Sequence, residues 1–99
     1  MTNVLYTVVD LGENDKWFVL AEKEIDGVKY SYMMGVNNEE TDFTDDFQLV
    51  RSSYENGEEY METITDQPLA QKIMPILVPE VNEYLNNPEK LNELLKGVN

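Results

Sequence analysis

Two short dipeptides constrain the fold more than any other feature. Asp26-Gly27 and Asn56-Gly57 are the residues that a two-residue β-hairpin loop demands, because both central positions of a type I′ turn need positive φ. Each lies between two runs with a strand pattern. Closing the first loop sets a register in which Ile25 faces Val28, Lys23 faces Tyr30, Ala21 faces Tyr32, Val19 faces Met34 and Trp17 faces Val36. One face of that hairpin is then largely apolar. The other pairs Glu24 with Lys29, as opposite charges, and Leu20 with Met33.

The remaining strands follow from the same signals. Residues 4–9 are apolar and β-branched, and the turn cluster Gly12-Glu13-Asn14-Asp15 lies just beyond them, so a first strand ends near Leu11. Residues 37–46 carry five acids and no base and read as a loop. Residues 47–54 resume a strand, and 59–64 form its partner across Asn56-Gly57, with Arg51 facing Glu62 and Leu49 facing Ile64. Glu55 would face Glu58, an unfavourable pair that leaves a longer loop open as an alternative.

After Ile64 the apolar period lengthens from two to about 3.6. Leu69, Ile73, Leu77, Val81 and Tyr84 or Leu85 fall on one helical stripe, with Thr65 or Asp66 as N-cap. Pro75 and Pro79 interrupt it, and interior prolines predict a kink, a break, or a second helix starting at Pro79. Asn87-Pro88-Glu89 is a helix start, Leu91, Leu94 and Leu95 supply its apolar side, and Lys96-Gly97 is a stop. The expected fold is a single α+β domain over residues 1–99. Its first part, 1–65, is an antiparallel sheet of four to five strands built on two hairpins, and 66–99 forms C-terminal helices packed on one face. Either the first strand or the one after the acidic loop is a candidate sheet edge.

Chemistry is limited by what is missing. The chain has neither cysteine nor histidine, which removes disulfides, thiolate zinc sites and every Ser-His or Cys-His nucleophile. Carboxylate pairs remain, but they fall in exposed loops where water keeps both members ionised. The acidic segments also lack the spacing of an EF-hand loop. The chain is therefore expected to be non-enzymatic, with no cofactor and no metal. The aromatic residues Trp17, Phe18, Tyr30, Tyr32, Tyr54 and Tyr60 are read as core, as are Met33, Met34, Met61 and Met74, because a base-stacking platform would need a basic groove.

A net charge of −13 repels nucleic acid and anionic membranes. No basic residue precedes Lys16, as a secretory leader would require, and no apolar run approaches a membrane span, so a cytoplasmic address is expected. The same charge suits a basic protein partner. Closely spaced carboxylates can imitate a phosphate array and occupy the groove of a nucleic-acid-binding protein. The candidate partner-binding residues are Glu39, Glu40, Asp42, Asp45 and Asp46, with Glu58 and Glu59 as a second patch. The competing reading is a small-ligand or divalent-ion site on the sheet face beneath the helices, and homo-oligomers are also allowed.

The run Trp17-Phe18-Val19-Leu20-Ala21-Glu22, then Ile25-Asp26-Gly27-Val28-Lys29-Tyr30, the acidic loop, Phe47-Gln48-Leu49-Val50, Glu55-Asn56-Gly57-Glu58-Glu59 and a closing helix resembles the YrzB-like family. These are small acidic bacterial proteins of unknown function. The resemblance covers roughly residues 17–85. It implies a cytoplasmic bacterial or phage protein and carries no functional residues over. Pro75, Pro79 and the final helix depart from the family pattern.

Overall fold

A computed structural model describes residues 5–98, apart from the side-chain surroundings of Asp45 and of residues 97 and 98. Val4, the expected start of the first strand, lies outside the described residues. Five strands, β1 (Val8–Asp10), β2 (Lys16–Ile25), β3 (Val28–Val36), β4 (Phe43–Glu55) and β5 (Glu58–Thr63), precede two helices, α1 (Gln67–Leu85) and α2 (Pro88–Val98). The strands form one antiparallel sheet in the order β1-β2-β3-β4-β5, so β1 and β5 are the edges and β4 is interior. The first strand is shorter than its composition suggests. Tyr6, at φ 61°, bends the chain, although Tyr6 N still donates to Val19 O at 2.8 Å.

Both tight turns form. Asp26 and Gly27 have φ of 52° and 81°, and Asn56 and Gly57 of 54° and 83°, the left-handed pairs that type I′ turns require. Glu55 sits directly opposite Glu58, so the longer loop is not adopted. Both side chains are exposed, and repulsion screened by water is too weak to undo the turn.

The β2–β3 register holds from Ile25↔Val28 through Glu24↔Lys29 and Lys23↔Tyr30 to Ala21↔Tyr32, then slips. Val19 pairs with Met33 rather than Met34, and Trp17 with Gly35 rather than Val36, because Leu20 forms a bulge. Strict alternation would leave half of the run from Phe18 to Ala21 on each face. The bulge instead sends Phe18, Leu20 and Ala21 into one cluster and Val19 into another, and all four are buried.

Residues 43–46 belong to β4, which corrects the expectation of a loop over 37–46. Phe43 pairs with Val36, and its ring meets Phe18 edge-on with centroids 5.6 Å apart. This aromatic anchor overrides the acidic composition around it. A second irregularity lies between Met34 and Val36, where a Cβ on Gly35 would run into the Thr44 hydroxyl, so that side chain would have to shift.

Asp66 caps α1, with Oδ1 accepting from Leu69 N at 3.4 Å. Ile73, Leu77 and Val81 form its buried stripe and join Phe18, Leu20, Ala21, Tyr30 and Tyr32 in the main core. The helix runs as one element through Pro75 and Pro79, so neither a break nor a second helix starting at Pro79 occurs. The carbonyls that lose a donor are those of Gln71 and Pro75. Both residues are exposed, so water can satisfy them while the buried stripe is undisturbed. Pro75→Ala should restore the bond to Gln71, offset by a more flexible unfolded chain. A net stabilisation of about 1–2 kcal/mol is expected in urea unfolding, and a loss of stability would show that the proline shapes the helix to its seat.

Asn87 caps α2, with Oδ1 accepting from Lys90 N at 3.3 Å, and Leu91 and Leu95 are buried in the main core. The helix continues to Val98, so Gly97 falls inside its last turn rather than past it. The main helix contacts of the sheet are with β2 and β3. On the opposite face, Val19, Met33 and Val50 form a second cluster with Leu5, Val9 and Trp17. Among the described residues no helix is long and apolar enough to cross a membrane.

Candidate partner-binding surface

The turn over residues 37–42 is organised by one side chain. Asn37 Oδ1 accepts from Thr41 N at 2.8 Å and Asp42 N at 3.2 Å, while Nδ2 donates to Thr41 Oγ1 at 2.9 Å. Backbone bonds from Asn37 N to Asp42 O and from Glu40 N to Asn37 O, both 3.0 Å, close the turn. Lys16 then ties it to the sheet: Nζ donates to Asn38 O at 3.0 Å and to Glu40 Oε2 at 3.1 Å. Asn38 Nδ2 donates to Asn14 Oδ1 on the β1–β2 connection.

This network sorts the expected acidic residues. Glu40 is half-buried and neutralised by Lys16, whereas Glu39 and Asp42 are exposed on the held turn. Asp46 is exposed on β4, and the side chain of Asp45 lies outside the described residues. The second patch is far away. Nine residue steps along β4 lead from Asp46 to Glu55, the partner of Glu58, and at about 3.3 Å per step this is roughly 30 Å.

Glu58 and Glu59 also part company. Glu58 is exposed and accepts from Tyr60 Oη at 2.8 Å. Glu59 is half-buried, accepts from Lys29 Nζ at 2.9 Å, and accepts from Tyr54 Oη at 3.1 Å. Lys29 is only 3% exposed, and its ammonium also stands 4.0 Å from Glu22. Glu24 is its register neighbour on β2, but the ammonium reaches across Ser52 on β4 to β5 instead. Ser52 is small enough to let the lysine stem pass over the strand. Burial alone would push Lys29 down and Glu59 up. For Lys29 the hydrogen bond to Glu59 and the charges of Glu22 and Glu59 win, so it is raised above its usual value. For Glu59 the hydrogen bond and charge of Lys29, with the Tyr54 hydroxyl, win, so it is held below its own. Nothing in the sequence announces this contact, because it joins strands that are not hydrogen-bonded neighbours.

The other cations are engaged as well. Lys23 meets Glu80 at 3.6 Å, Arg51 meets Glu62 at 3.3 Å, and Lys90 meets Glu83. With Lys16 and Lys29, five of the seven basic residues are tied to carboxylates within the chain. Exposed Glu39, Asp42, Asp46 and Glu58 make no such pair among the described residues.

Part of the aromatic set is not core. Phe18, Tyr30 and Tyr32 are buried and Trp17 is half-buried, but Tyr54 and Tyr60 are 43% and 49% exposed on the β4–β5 hairpin. Met33 is fully buried, while Met34, Met61 and Met74 are half-buried. The face beneath the helices is filled, with Leu20, Ile73, Leu77 and Val81 all at most 1% exposed. Open space lies elsewhere. A groove of about 490 Å³ opens where Gly27 and Val28 stand beside Ser53 and Tyr54, with Lys29, Arg51 and Ser52 completing its lining. Among the described residues no three Asp or Glu side chains converge as they would around a metal ion. Comparison with protein-family models, with curated proteins and with solved structures gives no match.

Proposed function

We propose that this chain is a non-enzymatic interaction module that offers a preorganised acidic surface to a basic protein partner. In the sharper form of this reading it is a cytoplasmic bacterial or phage inhibitor that imitates nucleic acid and blocks a nucleic-acid-binding protein. Kinship with the YrzB-like family belongs to the same proposal. The observation that carries it is the pairing of cations within the chain, which leaves the surplus carboxylates as the dominant surface charge. The turn bearing Glu39 and Asp42 is held by Asn37 and Lys16, so little ordering entropy is lost when a partner docks.

The test is triple reversal, Glu39→Lys with Asp42→Lys and Asp46→Lys, followed by affinity capture from bacterial lysate over a ladder of salt concentrations. Wild type is expected to retain a nucleic-acid-binding protein that rising salt or added DNA releases, and the variant to retain none. All three positions are exposed, so stability should change by no more than about 0.5 kcal/mol per site. Undiminished capture by the variant would defeat the proposal. A second reading, a small ligand in the groove beside Ser52 and Ser53, is favoured only by that open volume. Saturable thermal stabilisation by one compound would support it instead.

A further inference from the structure

We infer that the outer edge of β5 is a docking site for an extended segment of the partner that carries Lys or Arg at alternate positions and adds as a sixth strand. The inference rests on the reading above for the sign of the partner's charge, and adds the mode of binding and the surface.

The hydrogen-bond parity of the β4–β5 hairpin identifies the free backbone groups. Ile64 N donates to Leu49 O at 2.9 Å, which makes that pair a hydrogen-bonded one. Counting back in steps of two, Glu62 with Arg51, Tyr60 with Ser53 and Glu58 with Glu55 turn their N–H and C=O toward β4. Glu59, Met61 and Thr63 therefore turn theirs outward, and among the described residues these groups meet no other backbone. Edges are usually protected by charged side chains, by proline or by a bulge. From Glu58 to Thr63 there is no proline or bulge, and the charged residues, Glu58, Glu59 and Glu62, are all acidic, so they guard the edge against an acidic strand and not against a basic one. The opposite edge, β1, is only three residues long.

Charge selects the occupant. Glu58, Tyr60 and Glu62 lie at alternate positions on one face of β5, and all three are exposed. A second copy paired antiparallel about Met61, a register that the outward groups allow, would gather Glu58 and Glu62 of both copies on one face, with each Glu62 diagonal to Glu58 and Glu62 of the other copy. Each copy also carries a net charge of −13, so like-charge repulsion disfavours this pairing. A strand with basic residues at alternate positions instead places cations beside Glu58 and Glu62. Their apolar stems can lie along the Tyr60 ring, which is 49% exposed. Backbone bonds supply attachment and the alternating cations supply selectivity, as in other cases of strand addition.

The probe is a short synthetic peptide of alternating lysine and threonine with blocked termini, added at low salt to the full chain while amide exchange is followed by NMR. Exchange at Glu59, Met61 and Thr63 is expected to slow by about tenfold or more, with Tyr60 and Glu62 unchanged because they are already bonded to β4. The same peptide methylated at alternate backbone nitrogens keeps its charge and should slow none of them. Binding that protects none of the three amides, or equal binding by the methylated peptide, would overturn the edge site while leaving a basic partner in place. Absence of binding by either peptide would also overturn it, and the acidic-surface reading would then stand or fall on its own capture experiment. A dimer formed through β5 in the protein alone would overturn it too, by making a second copy the occupant.

Discussion

Lys29→Ala is expected to destabilise the protein by about 3 kcal/mol at neutral pH, because it strands carboxylates that are themselves partly buried. The side chains of Glu59 and Glu22 are 18% and 15% exposed, against 2% for that of Lys29. Much of the desolvation of all three groups is already incurred, and their mutual attraction, with the Tyr54 hydroxyl on Glu59, offsets it. Lys29→Met separates charge from packing, since it keeps an unbranched apolar stem over Ser52. It should lose most of the same stability. Urea unfolding of both variants reads this directly, and a Lys29→Met protein as stable as wild type would show that the ion pair contributes nothing net.

The same group predicts a pH dependence with a definite sign. Glu59 is held below its ordinary value of 4.5, so the unfolded chain takes up its proton first as pH falls. The stability from this carboxylate is complete above about 4.5 and is lost as pH drops through the depressed folded value. Lys29 is raised above 10.5, so its contribution is complete below that pH and is lost as pH rises through the raised folded value. The gap between wild type and Lys29→Met should accordingly be widest between these limits and shrink toward acid. A gap that stays constant below pH 4.5 would place the effect in packing rather than charge.

Leu77→Ala should cost about 3 kcal/mol, within the range of about 2–5 kcal/mol for truncating a buried leucine. Leu77 is fully buried midway along α1, between the two prolines, where no neighbouring backbone can easily move in to fill the void. For a domain of this size each kcal/mol shifts the melting temperature by roughly 4–8 °C, so a fall of more than about 10 °C is expected. Ile76→Ala, one residue away and 37% exposed, provides the contrast and should shift it far less. Equal effects at both positions would mean that α1 is not seated by its Ile73-Leu77-Val81 stripe.

Local chemistry was the legible part of this chain. Asp26-Gly27 and Asn56-Gly57 each need only their own backbone preference to specify a tight turn, and Arg51 opposite Glu62 and Leu49 opposite Ile64 then follow by counting. Caps act within one helical turn, so Asn87 was readable for the same reason, and the first cap was narrowed to Thr65 or Asp66, of which Asp66 accepts the bond. Register beyond Leu20 was not readable. The bulge is stabilised by what Phe18, Leu20 and Ala21 meet on the helices, and those partners lie far along the chain. Phe43 was hidden in an acidic run for a similar reason, since its partner Phe18 is distant in sequence. The acidic candidate residues were visible as a list. Their division into exposed Glu39, Asp42, Asp46 and Glu58, and engaged Glu40 and Glu59, depended on where Lys16 and Lys29 came to rest.

The sequence alone determined the element types, the two hairpins, the helical stripes and the excess of negative charge, because each depends on residues within one turn or one strand pair. Tertiary structure decided the rest. It set the bulge at Leu20, carried α1 unbroken past Pro75 and Pro79, buried Lys29 between β2 and β5, and placed β5 at an edge of the sheet. These outcomes turn on burial and on contacts between distant segments, where desolvation and packing outweigh local preference.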